Sequence, residues 1–196
     1  MAADAEQLSF PASLEGWWYT DEEIFAREQE AIYGRRWVCL ARSDELPEPG
    51  AFLVREVAGE SLIVLRDDDG AVRSFYNVCR HRGARLLTAP EGSCRGVIRC
   101  PYHAWAYGLD GALRAAPNMP DWRRERWGNL GLHPVAVEEH LGCVFVNLAE
   151  QPGAWDDEFG EQIRRRVIGR FGVLRGRRGM VVREDVHDGA MLRAEG

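Results

Sequence analysis

Along most of this chain, apolar and polar positions switch every few residues instead of recurring at the spacing of an amphipathic helix. Ala51 to Val57, Ser61 to Arg66, Val72 to Asn77, Gly96 to Arg99, Trp105 to Tyr107, Val135 to Glu138 and Cys143 to Leu148 each read as a short strand. Asp69-Gly70 and Asp110-Gly111 supply the short turn signal that joins antiparallel neighbours. Upstream, Trp37-Val38-Cys39-Leu40 reads as a short buried strand. Leu46-Pro47-Glu48-Pro49-Gly50 reads as a turn, because its prolines remove donors and its glycine lets the chain reverse. Helical patterning shows near the N-terminus, where Thr20 to Glu23 fits a Ser/Thr-x-x-Glu capping box and predicts a helix from about Asp21 to Tyr33. The pattern predicts a mostly β, antiparallel sandwich or barrel preceded by one helix.

The texture changes near Glu150. Asp156 to Val167 predicts a helix, Arg164 to Arg183 is rich in arginine and glycine, and Glu184 to Gly196 has no periodicity. Residues 1–16 are small and polar and predict no ordered element. The chain therefore divides into an N-terminal segment with a helix (1–37), a β domain (38–150) and a short C-terminal extension (151–196).

Composition narrows the function classes. A hydrophobic share of 45% and a charged share of 29% over 196 residues describe a chain able to bury a core. The formal net charge of −6 argues against a general nucleic-acid binder, so the run Arg164 to Arg178 reads as a linker edge or subunit contact. No apolar run reaches the ~20 residues that span a bilayer, which excludes a membrane partner of that kind. The acidic start, Met1 to Glu6, lacks the basic and apolar regions of a secretory signal, so the expected location is cytoplasmic. Five cysteines, an odd number in such a chain, point to metal before disulfide.

The candidate chemistry is Cys79-Arg80-His81, then 18 residues, then Cys100-Pro101-Tyr102-His103. Each half offers one thiolate and one imidazole on a short loop after a predicted strand, as if at the tips of adjacent hairpins. A two-iron, two-sulfur cluster with two thiolates on one iron and two imidazoles on the other needs this composition. Two cysteines and two histidines also suit a structural zinc ion, although zinc fingers usually keep their cysteines in one half and their histidines in the other. The mixed halves favour the cluster.

The motif Cys79-Arg80-His81-Arg82-Gly83-Ala84 with Cys100-Pro101-Tyr102-His103-Ala104-Trp105 resembles the Rieske motif of the large (alpha) subunits of aromatic-ring-hydroxylating oxygenases. Further resemblance lies in Trp17 to Trp37, Leu46 to Gly50, Asn77-Val78, Tyr107 to Gly111, Leu132 to Val135 and Gly142 to Leu148. Ala104 stands where that family commonly has glycine, a departure that leaves the ligands untouched. The resemblance implies a Rieske domain with one [2Fe-2S] cluster held by Cys79, His81, Cys100 and His103. It implies the electron-entry part of a mono- or dioxygenase, an oxidoreductase reduced by a reductase or ferredoxin. The electron acceptor would be a mononuclear Fe(II) in a catalytic domain or neighbouring subunit, commonly within a homotrimer.

That second iron would need two histidines, a carboxylate and open positions. Glu184-Asp185-Val186-His187 holds the last histidine of the chain and reads as a solvated tail. The expectation is that this chain does not bind the mononuclear iron, that 151–196 begin a truncated catalytic domain, and that the gene is truncated, frameshifted or encodes a separate Rieske part. A stand-alone Rieske ferredoxin is the rival reading, with Trp17-Trp18-Tyr19 speaking for an oxygenase subunit instead. Cys94 reads as a free thiol between the loops, Cys39 and Cys143 as small core residues, and His133 and His140 as surface or satisfied residues. Tyr102, Trp105 and Tyr107 are expected to shield the cluster, and Arg82 to present it to an acidic partner.

Overall fold

The computed structural model describes residues 13–119, 127–163, 173–175 and 180–182. Twelve strands occur among them: β1 Val38–Arg42, β2 Ala51–Val57, β3 Glu60–Arg66, β4 Val72–Tyr76, β5 Glu91–Ser93, β6 Val97–Arg99, β7 Ala106–Gly108, β8 Leu113–Ala115, β9 Pro134–His140, β10 Cys143–Asn147, β11 Val173–Arg175 and β12 Met180–Val182. β1-β10-β9-β4-β3-β2-β5 form one antiparallel sheet, β6-β7-β8 a second and β11-β12 a third. The mostly β, antiparallel expectation holds, and each predicted strand has a counterpart within a residue or two. β11 and β12, paired with each other, have no counterpart among the expected strands, and neither do β5 and β8. Each of the latter two is three residues long, and pairing with β2 or β7 makes it a strand.

β3 explains how the core is divided. Its run Leu62-Ile63-Val64-Leu65 is buried on both faces. Leu62 and Val64 join Leu46, Leu53, Val135, Val144 and Val146 in one apolar cluster. Ile63 and Leu65 face the other way and meet Phe52, Phe75, Ile98, Trp105, Tyr107 and Leu109, a cluster that also contains Cys79 and Cys100. The small sheet is thus fastened to the large one by the core that surrounds the two cysteines. At the turn before β2, Gly50 has φ +86°, and a Cβ there would run into the Cys94 carbonyl. This close approach is what requires glycine in the Pro-rich turn.

Two local expectations are corrected, and the helix expected from about Asp21 to Tyr33 is found with a change of winding. The helix cap is Asp21, whose carboxylate accepts from the Glu23 and Ile24 amides, and not Thr20. Helix α1 covers Glu22–Glu28 and continues as a wider π turn over Gln29–Tyr33. β1 is not a buried strand, since only Ala41 is buried and β1 lies at the sheet edge.

The start of the C-terminal extension is firmly docked. Trp155 is buried, stacks on His140 with ring centroids 3.8 Å apart, and meets Phe145 and Phe159. The Trp37 indole donates to the Gly153 carbonyl at 2.8 Å, tying the N-terminal segment to the same place. A π turn Asp156–Gly160 and a short α2, Glu161–Ile163, follow. Residues 164–167 of the predicted helix, the rest of the arginine-rich run except 173–175 and 180–182, and His187 lie outside the described residues.

Candidate metal centre

The two motif loops share a backbone plan. In the first, the Cys79 amide donates to the Ala84 carbonyl at 2.8 Å and the Gly83 amide to the Cys79 carbonyl at 2.9 Å. In the second, the Cys100 amide donates to Trp105 at 2.7 Å and the Ala104 amide to Cys100 at 3.1 Å. The fifth residue of each loop is left-handed, Gly83 at φ +70° and Ala104 at +56°. This conformation accounts for the glycine preference at the second position and makes Ala104 a mildly strained substitute.

The loops close differently. The second spans 100–105 between β6 and β7, whose ladder pairs Arg99 with Ala106. The first is not at a hairpin tip, contrary to expectation, and is closed by the single bridge Val78–Arg85. Buried Asn77 compensates. Its side chain donates to the Leu87 carbonyl at 2.7 Å and the Ser61 hydroxyl at 3.2 Å, and accepts from the Leu86 and Leu87 amides at 3.1 and 2.9 Å. In the sequence, Asn77 stands beside the motif with no role of its own. A buried Asn directly before a ligand loop is the signal that points to such a latch.

Together the loops bring the four predicted side chains to one place as two pairs. Cys79 and Cys100 are 3% and 2% exposed and lie in the same buried cluster. The rings of His81 and His103 meet edge to face, centroids 4.7 Å apart. Among the described residues, no three His, Cys, Asp or Glu side chains converge closely enough for a single metal ion.

Side chains beyond the four shape the electrostatics. The Tyr107 hydroxyl lies 3.2 Å from Cys79 Sγ and accepts from the Arg80 amide at 3.1 Å, which directs its proton at the sulfur. Burial, and then the contact with Cys79, push the Tyr107 hydroxyl up and keep it protonated. Burial likewise raises the Cys79 thiol; Tyr107 and the His81 backbone oppose that, and Cys100 adds to it. Desolvation, His103 and Arg82 lower His81, favouring the neutral imidazole that ligation needs. His81 Nδ1 is buried without a hydrogen-bond partner. A dry, orphaned ring nitrogen fits a metal-directed donor.

Trp105 stacks on His81 with centroids 4.7 Å apart, buried as expected. Tyr102 packs on His103 at 3.9 Å but is 64% exposed, so it borders the centre without sealing it. A groove of about 520 Å³ lined by Arg80, His81, Arg82, His103 and Trp105 opens onto the histidines. Of the remaining cysteines, Cys94 is buried, whereas Cys39 is exposed and Cys143 half-buried, so neither is a core residue. His133 is exposed, and His140 is paired with Glu138 and stacked on Trp155.

Comparison with known proteins agrees with this geometry. The Rieske [2Fe-2S] domain model matches residues 36–136. The carnitine monooxygenase oxygenase subunit of Acinetobacter pittii is 40% identical over 147 residues, 75% of this chain and 39% of its own length. The glycine betaine monooxygenase oxygenase subunit of Chromohalobacter salexigens is 41% identical, covering 71% of this chain and 31% of itself. Among solved structures, the apo form of a quaternary ammonium Rieske monooxygenase superposes with TM-score 0.68 at 38% identity, over 76% of this chain and 44% of that one. A naphthalene 1,2-dioxygenase with bound indole gives 0.67 at 29%, over 79% and 36%. The chain thus spans less than half the length of these relatives. With the family model matched over half of its residues, the chain belongs to the Rieske [2Fe-2S] domain family, whose cluster carries single electrons.

Proposed function

We propose that Cys79 and Cys100 hold one iron of the cluster, that His81 and His103 hold the other, and that the chain is the electron-entry part of an oxygenase large subunit. The observation that carries the ligand assignment is the sorting of four donors into a buried thiol pair and a facing imidazole pair, with a dry, unpartnered nitrogen on His81. That sorting is what two irons with unlike ligands require, and it speaks against a structural zinc ion, which needs four donors around one point. When bound, the cluster accepts and releases one electron at a time at a potential raised by its neutral imidazoles. The chain's residues supply the rest: Tyr107 directs a proton at the Cys79 sulfur, Trp105 excludes water from one face of His81, and Arg80 and Arg82 flank the groove with positive charge.

Partners follow from the groove and from the relatives. A reductase or ferredoxin with an acidic docking face suits the arginines beside the histidines, and the acceptor would be a mononuclear iron in a catalytic domain or neighbouring subunit, with a trimer as the assembly. A solved relative is described as revealing inter-subunit electron transfer. Relatives named for carnitine, glycine betaine and naphthalene all match this region at 35–41% identity, so the region carries the electron-transfer part and another part would select the substrate. In this reading 38–150 form the Rieske unit, 1–37 precede it, and 151–196 lead towards a catalytic domain. Relatives named as oxygenase subunits favour this over a stand-alone ferredoxin.

Low-temperature EPR on the anaerobically purified, dithionite-reduced chain, with iron, sulfide and zinc assayed together, tests the proposal. A Rieske signal with equal iron and sulfide is expected. A colourless, silent sample with one zinc per chain would overturn it.

A further inference from the structure

Two cysteines unrelated to the metal centre face outwards together. Cys39 on β1 is exposed, and Cys143 on β10 is half-buried. β1 and β10 run antiparallel, with Cys39 opposite Phe145 and Arg42 opposite Cys143, and a bulge interrupts the ladder between Cys39 and Ala41. The cysteines therefore share one face of the strand pair on a diagonal. β1 ends its sheet and is already irregular at this point, so it can yield to a small closing movement.

We propose that Cys39 and Cys143 are an oxidisable surface dithiol that closes to a reversible cross-strand disulfide on reaction with a disulfide oxidant such as oxidised glutathione. One thiolate attacks the oxidant and forms a mixed disulfide, releasing one reduced thiol. The second cysteine thiolate attacks that mixed disulfide and releases another. Two S–H bonds are lost, one S–S bond forms within the chain, and both electrons and both protons end on the two released thiols. Partial burial, and then the neighbouring Cys143, hold the Cys39 thiol above its ordinary range, so closure quickens as pH rises and the thiolate fraction grows. The span from Cys39 to Cys143 contains both ligand loops, so the bridge would restrain the segment that carries the metal centre.

The test treats the full, cluster-bearing chain with oxidised glutathione and maps it with trypsin. Cleavage after arginine places Cys39 in residues 37–42, Cys143 in 127–164 and Cys94 in 86–95, so every linkage has its own mass. The expected result joins 37–42 to 127–164, lightens the intact chain by two hydrogens, leaves the cluster's visible absorption unchanged and reverses with dithiothreitol. Cys39→Ser and Cys143→Ser each retain the cluster and stop the cross-link at a glutathione adduct on the remaining thiol. Persistent glutathione adducts on the unsubstituted chain, a link to Cys94, or no reaction under excess oxidant would each overturn the proposal.

Discussion

The two ligand loops have the same backbone hydrogen bonds and the same left-handed fifth residue, yet they are held in place by different means. The second loop is drawn from a hairpin, and the β6–β7 ladder closes it. The first has only the Val78–Arg85 bridge at its base and relies on two side chains, Asn77 beneath it and Tyr107 reaching across from β7. A loop closed by strand pairing draws its rigidity from backbone bonds that most sequences can make. A loop closed by side chains depends on particular residues being buried and fully paired. The first loop is therefore where single substitutions should act most strongly.

The largest effect should come from the proposed ligands, where the two loops are equivalent. Cys79→Ala or Cys100→Ala is expected to abolish cluster binding, measured as loss of iron, sulfide and the reduced-state EPR signal; retention of a full cluster in either variant would remove that residue from the ligand set. Next, Asn77→Ala leaves the Leu86 and Leu87 amides unpaired and should cost about 3 kcal/mol in urea unfolding of the cluster-bearing chain, given about 1–3 kcal/mol per buried unsatisfied group. A loss below about 0.5 kcal/mol, less than one ordinary hydrogen bond, would show that the first loop does not depend on its latch.

Tyr107→Phe should change the potential more than the fold. The lost proton at the Cys79 sulfur disfavours the more negative, reduced cluster, so the midpoint should fall by on the order of 50 mV, the one-electron equivalent of about 1 kcal/mol. Protein-film voltammetry checks both sign and size, and an unchanged midpoint would reduce Tyr107 to packing. The smallest effects sharpen the comparison at its matched position. Gly83→Ala should destabilise by about 1 kcal/mol and Ala104→Gly should stabilise by somewhat less than about 1 kcal/mol, because both residues are left-handed. A Cβ at Gly83 meets nothing within 4 Å, so backbone conformation alone sets the first value. Thermal melts that move both variants in the same direction would contradict the shared plan.

Much of this was legible in the residues. β2, β3 and β10 carry runs of apolar residues bounded by turn signals, and local patterning is enough to find them. β5 has three exposed residues with no alternation and exists as a strand because β2 offers it an edge. Cys39 and Cys143 look like core residues beside valines and other apolar neighbours, but they lie on the face of the β1–β10 pair opposite the one on which Val144 and Val146 are buried, and which face is covered depends on packing that no window of sequence contains.

The same division runs through the metal centre. By itself the sequence determined which donors are on offer, two thiols and two imidazoles, because the Cys-x-His and Cys-x-x-His pairs are local and their composition limits what can bind. Only the tertiary structure decided how those pairs are presented. The thiols pair in the dry core, the imidazoles face a groove, and one buried nitrogen is left without a partner. Asn77 and Tyr107 acquire their roles there too, from contacts with residues up to 28 positions away. Spacing within a loop is set by the covalent chain, whereas burial and contact between loops arise when the sheets pack, and hydrogen bonds to a sulfur depend on the second kind of information.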